Sequence, residues 1–140
     1  EAAFSSLIAV SATFSTTKGD FTALLNTQKA PVSVNNFVVL SRYHYYDGVP
    51  FHRIVPGFVI QAGDGDGDPW GNNDLGYTIQ DELPASSAEY TDYSLAMANS
   101  GPNTNGSQFF IVDAIGKLGD AQQKPTEAVV IKSVKITEKQ

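Results

Sequence analysis

The 140-residue chain has no cysteine, two histidines, one tryptophan and one methionine. Without cysteine there can be no disulfide, no zinc–thiolate centre and no cysteine nucleophile, although the compartment stays open because secreted chains can also lack it. The two histidines are His44 and His52, and neither has an acid placed to orient its ring, so a Ser-His-Asp hydrolase finds little support. Basic residues are outnumbered 9 to 15, for a formal net charge of −6. That balance argues against nucleic acid or an anionic membrane as the main partner. No apolar run reaches the length of a membrane span. Internal repeats, linkers and low-complexity tracts are absent. The most metal-like run is Asp64, Asp66 and Asp68 alternating with glycine, but Pro69 and Leu75 stand where a calcium loop needs its Gly and its Glu. A solvated acidic loop is expected there, and neither metal nor cofactor is expected anywhere.

What remains is a globular composition, 41% hydrophobic and 17% charged, long enough for one domain over residues 1–140 with its own core. Glu1 stands in place of a Met, which suggests processing, and no signal peptide remains to be read. Ala12–Thr16 and Phe21–Leu25 are β-prone segments flanking the turn-like Thr17-Lys18-Gly19-Asp20. Ala30-Pro31 opens a helical pattern in which Val34, Phe37, Val38 and Ser41 should face the core, and Asp47-Gly48 stops it. Phe51–Ile60 reads as two short strands around a turn or bulge at Pro56-Gly57. Asp64–Gly76 is a Gly/Asp/Asn loop. Ser94–Ala98 and Gln108–Val112 are short strands separated by the Ser100–Gly106 loop. Val112–Leu118 is a brief helical piece capped by Gly119, and Ala128–Thr137 is a final strand. Many short strands and one good helix predict a mostly β domain, a closed barrel rather than a sandwich.

Two segments stand out, Phe51–Gln61 (FHRIVPGFVIQ) and Ser94–Val112 (SLAMANSGPNTNGSQFFIV), because each sets a few polar side chains among apolar and aromatic ones. Arg53 is a fixed charge inside an otherwise apolar strand; a half-buried arginine needs acceptors, as a structural ion-pair member or as a site residue. Gln61 and Gln108 are amides able to donate and accept, and structural roles are the commoner ones for such residues. Phe58, Val59, Phe109 and Phe110 read by default as core.

Both segments resemble the signature stretches of the cyclophilins, the cyclosporin-binding peptidyl-prolyl cis-trans isomerases, and the resemblance runs from about Ala30 to Val112. It implies a bacterial-type single-domain member: an antiparallel β-barrel capped by helices, acting on X–Pro bonds and assisting protein folding. By matching motif positions it implies Arg53 as the catalytic arginine, Phe58 and Phe110 as pocket phenylalanines, and Gln61 and Gln108 as amides that hold substrate backbone. Ala98-Asn99 becomes the backbone-contact pair, and Ser100 and Thr104 belong to the loop beside the pocket. Val59 stands where many members have Met. The implied partners are proline-containing peptides, unfolded proteins and cyclosporin, bound by a monomer with no nucleic acid and no membrane span. The loop after Gln61 departs from the family stretch, with extra Gly/Asp residues and Trp70, which puts selectivity at the neighbouring subsite in doubt. Asn105-Gly106-Ser107 fits a glycosylation sequon but lies inside the recognition loop and is discounted.

The family pattern breaks after Val112. A pocket loop with its aromatic and its His, the apolar strand that follows, and the start of a helix have no counterpart, and the chain runs straight into Asp113-Ala114-Ile115-Gly116-Lys117-Leu118-Gly119. A barrel that loses an interior strand exposes two unpaired edges and an open core. That penalty favours a molecule that carries the segment over one that has lost it. The rival reading, from another class, is a non-catalytic proline-peptide binder using the same groove; a third is a scaffold with a relic pocket.

Overall fold

The computed structural model describes residues 9–65, 75–90, 93–112 and 125–139. Its first element is a hairpin. Strand β1 (Ala9–Thr16) buries alternate residues Val10, Ala12, Phe14 and Thr16, and pairs antiparallel with β2 (Gly19–Leu25) through Thr16↔Gly19. Gly19 adopts φ +117°, and the Thr16 hydroxyl donates to its carbonyl at 2.6 Å. A glycine is what such a turn needs, because positive φ is costly for residues with a Cβ.

Helix α1 (Pro31–Arg42) follows, with Pro31 in its first turn, Phe37, Val38 and Ser41 buried as expected, and Val34 half-buried. Asn36 and Leu40 are buried as well. The helix has an unusual N-terminus: Ala30 offers no side-chain cap, and no acidic residue lies in the first turn. Instead Glu82, fifty residues on, accepts from the backbone N–H of Val32 at 3.0 Å and of Ser33 at 2.8 Å. A carboxylate here satisfies orphan donors and meets the positive end of the helix dipole.

Strands β3 (Arg53–Val55), β4 (Val59–Ala62), β5 (Leu95–Met97) and β6 (Phe109–Val112) form a second antiparallel sheet in the order β3-β4-β6-β5. The last strand, β7 (Ile131–Lys139), returns to β1, so the first sheet runs β2-β1-β7. The two sheets are joined where residues 48–51 pair with 129–131, through Gly48 N–H to the Ile131 carbonyl at 2.7 Å, Ile131 N–H to Val49 at 2.9 Å and Phe51 N–H to Val129 at 2.9 Å. Phe109, fully buried, centres the core with Phe14, Phe37, Tyr46 and Phe51 around it at ring-centroid distances of 5.5–6.5 Å.

The mostly β, antiparallel expectation is met, whereas the closed barrel is not. Among the described residues β2 and β5 each pair on one side only, and between them lies a groove of about 590 Å³ whose lining includes Leu25, Val34, Leu95, Met97 and Phe109. Among the described residues no ladder bridges this gap. The capping elements described are α1 and one 3-10 turn, Ser87–Glu89. The helical piece expected at Val112–Leu118, and the break in the pattern after Val112, fall on residues 113–124, outside the described residues apart from Val112 itself, which ends β6.

Candidate active site

The β3–β4 hairpin turns at Pro56-Gly57-Phe58, with Gly57 at φ +71°. Its register sets Arg53 opposite Gln61 and Val55 opposite Val59; across β6, Gln61 faces Phe110, and Phe110 faces Ala96 of β5. Because side chains alternate across a strand, Arg53, Gln61, Phe110 and Ala96 fall in one row on one face of the sheet. Val55, Val59 and Val112 form the neighbouring row on that face. Ile54, Ile60, Phe109 and Ile111 take the opposite face and are buried in the core. Arg53 and Gln61, eight positions apart in the chain, and Gln61 and Phe110, forty-nine apart, thus become lateral neighbours in one row.

A polar chain runs beside this row. Arg53 Nη1 donates to Gln61 Oε1 at 3.2 Å, Gln61 Nε2 donates to Gln108 Oε1 at 2.8 Å, and Gln108 Nε2 donates to Asp64 Oδ2 at 3.0 Å. Gly63 makes the last contact possible. Its φ is +100°, and a Cβ there would lie 2.5 Å from the Ser107 carbonyl, so only glycine lets the backbone pass this close to residues 107–108.

The 98–108 connection is held by its own side chains. Ala98 N–H donates to the Gln108 carbonyl at 3.0 Å. The Thr104 hydroxyl accepts from Ser100 N–H at 3.0 Å and donates to the Gly101 carbonyl at 2.7 Å, while Asn99 Nδ2 donates to Asn105 Oδ1 at 3.1 Å. Asn105 is 4% exposed and donates to Asp81 Oδ1 at 2.7 Å, a poor position for a glycan. Asn36 Nδ2 donates to the Gly106 carbonyl at 2.8 Å, and Tyr46 Oη to that of Ser107 at 2.9 Å, so α1 and the core fix the loop from below. Burial pushes the Tyr46 phenol well above its ordinary value, with the neighbouring Tyr45 and Tyr77 adding to the rise.

Arg53, Gln61, Val59, Phe110 and Gln108 are therefore brought together, with Ala98, Asn99, Ser100 and Thr104 in the adjoining loop. Phe58 differs from the core default: it sits at the hairpin turn and is 60% exposed. The groove between β2 and β5 reaches Phe110, Ala96 and Asn99, and Arg53 is not in its lining. His52 Nδ1 is a buried atom with no hydrogen-bond partner. Burial, and then the charge of Arg53, hold the His52 imidazole below its usual value. One expectation is corrected: His44 does have an orienting acid, Asp47 Oδ2 at 3.1 Å, but the pair sits at an exposed turn. Asp64 is 3% exposed and bonded to Gln108, so it is no member of a solvated acidic loop; Asp66 and Asp68 lie outside the described residues. Glu82 carried no signal in the sequence, and Asp64 was assigned there to a solvated loop instead of to this site. The only available signal for Asp64 was a carboxylate following glycine just past a site amide.

This face sets one arginine in a row with an amide and an aromatic ring over an antiparallel β-sheet. Residues 11–124 match the family model of the cyclophilin type peptidyl-prolyl cis-trans isomerase/CLD, and the chain belongs to that family. It is 44% identical to peptidyl-prolyl cis-trans isomerase-like 1 of Emericella nidulans over 105 residues, which is 74% of this chain and 65% of that protein. It is 46% identical to a putative peptidyl-prolyl cis-trans isomerase of Staphylococcus aureus over 98 residues, 69% of this chain and 49% of that protein. The match thus spans less than two thirds of these curated relatives. The crystal structure of a Cryptosporidium parvum cyclophilin type peptidyl-prolyl cis-trans isomerase superposes with TM-score 0.79 at 28% identity, covering 94% of this chain and 99% of that one. A second crystal structure of that protein, in the presence of the dipeptide ala-pro, covers 91% of this chain and 98% of its own with the same TM-score, 0.79.

Proposed function

We propose that this chain is a peptidyl-prolyl cis-trans isomerase acting on X–Pro bonds of peptides and unfolded proteins, in support of protein folding. The observation that carries the reading is the row Arg53–Gln61–Phe110 on one face of the sheet, with the guanidinium tied to the Gln61 amide. Rotation about an X–Pro bond is opposed by amide resonance, with a barrier of about 20 kcal/mol, and needs neither nucleophile nor metal. It needs a slot for the proline ring and a fixed donor near the prolyl nitrogen, where the twisted amide becomes pyramidal and basic. Phe110, Val59 and Phe58 serve as the slot and Arg53 as the donor. Gln61, Gln108, Asn99 and Ala98 hold the flanking backbone, and Ser100 and Thr104 shape the loop beside it. The arginine binds the twisted state better than the planar one, which is the condition for acceleration rather than mere binding.

The same reading makes residues 1–140 one domain, acting as a monomer, and extends the ligands to cyclosporin. Closure into the family's barrel then requires one more strand in the gap between β2 and β5. An intact mass above that of the 140 residues supports a molecule that supplies it, and a mass equal to theirs removes the closed barrel.

The test of function is exchange NMR on a proline peptide. Catalytic amounts of the chain should merge the cis and trans peaks, and Arg53→Ala should lower kcat/KM by about a hundredfold or more with an unchanged fold. Peak shifts without faster exchange would favour the non-catalytic binder instead.

A further inference from the structure

Asp64 is the single carboxylate among the buried polar residues described, at 3% exposure, and the reading above gives it no task. An ionised carboxylate only accepts hydrogen bonds, and a guanidinium only donates. Asp64 and Arg53 therefore stand at the two ends of a chain with a forced direction, and the amides of Gln108 and Gln61 lie between them. Asp64 draws the Gln108 NH2 toward itself, which turns the Gln108 oxygen to Gln61. That oxygen takes the Gln61 NH2, and the Gln61 oxygen is left facing Arg53. Flipping either amide would set like against like at both of its contacts. A charge-assisted bond at each end makes this polarity harder to reverse than that of an ordinary amide pair.

We propose that Asp64 is a positioning residue for isomerisation: through Gln108 and Gln61 it fixes the acceptor that orients the Arg53 guanidinium over the sheet. The proposal rests on the isomerase reading. It also explains the local backbone, because Gly63 alone permits the approach that delivers Asp64 to Gln108. Asp64 touches no substrate in this scheme. Its influence passes through two amides, so it bears on turnover more than on binding.

The experiment is a pair of kinetic comparisons. Asp64→Asn keeps the shape but can turn either an oxygen or an NH2 toward Gln108. Its kcat/KM should fall about tenfold, mainly in kcat, because a small misplacement of the donor is costly in the twisted state. In a Gln61→Ala background, where the relay is already cut, the same substitution should add less than about twofold. Wild-type turnover in Asp64→Asn, or an equal loss in both backgrounds, would overturn the role, the second because a merely structural residue acts additively. A wild-type chain that accelerates no exchange overturns the isomerase reading and this role together. An active wild type with an indifferent Asp64→Asn overturns this role alone. If Asp64→Asn fails to fold, the wild-type protein decides. The Gln108 side-chain amide protons should be shifted downfield and exchange slowly with water, and exchange at the rate of free glutamine would remove the relay.

Discussion

The two flanks of the β-band differ in how they are closed. On the flank of β3 and β7, backbone hydrogen bonds between residues 48–51 and 129–131 stitch one sheet to the other. On the flank of β2 and β5 each edge pairs on one side only among the described residues, Leu24 stands 76% exposed, and a groove of about 590 Å³ separates the strands. The polar chain from Arg53 to Asp64 is built on β3, β4 and the residue before β6, toward the stitched flank. Orienting a guanidinium needs a support that does not move, and the stitched flank supplies one.

This contrast can be broken or sharpened in four ways. Phe109→Ala removes the ring at the centre of the core between both flanks, and should cost about 3–5 kcal/mol, read as a lower urea midpoint; a loss below about 1 kcal/mol would mean the aromatic cluster is not the anchor. Hydrogen exchange should separate the flanks next, with protected amides of β2 exchanging about a hundredfold faster than those of β4 and β6. Equal protection would show that something fills the seam. Glu82→Gln should then destabilise the fold by about 1 kcal/mol, since among the described residues α1 has no other side-chain cap and the seam-side loop would lose its hold on the helix. Burial raises the Glu82 carboxyl, but the hydrogen bonds from Ser33 and Val32 outweigh it and hold the group below its ordinary value. The smallest effect belongs to His52. Its folded value lies below the usual 6.5, so the unfolded chain binds the proton first as pH falls. Stability from this residue is fully present above that value and is lost as acid is added, so the melting temperature should be lower at about pH 5.5 than at about pH 7.5. His52→Gln should flatten part of that slope.

The hairpin of β1 and β2, the face of α1 and the strands around Pro56-Gly57 were legible because each depends on local pattern: alternation, helical spacing, and turn residues at fixed offsets. Arg53, Gln61 and Phe110 were picked out by resemblance, but their adjacency was not legible, since it depends on strand register across β4 and β6, and Ala96 carried no signal at all. Asp64 was misread for a related reason. An Asp in a Gly/Asp run reads as solvated until Gly63 is known to carry it under residues 107–108. Glu82 was invisible because the helix it caps begins fifty residues earlier, and capping rules look only to neighbours in the chain. The closed barrel failed where strand pairing had to be guessed, since counting strands says nothing about whether the last two edges meet.

Strand β1 lies between two partners of very different age during biosynthesis. Its pairing with β2 can form once residue 25 has emerged, but its pairing with β7 waits for residues 131–139. Until those residues are out, one edge of the central strand is bare, and so is the side of the Phe14 ring that β7 helps to cover through Val134. A chain of this topology emerges with its stickiest surface first and its cover last.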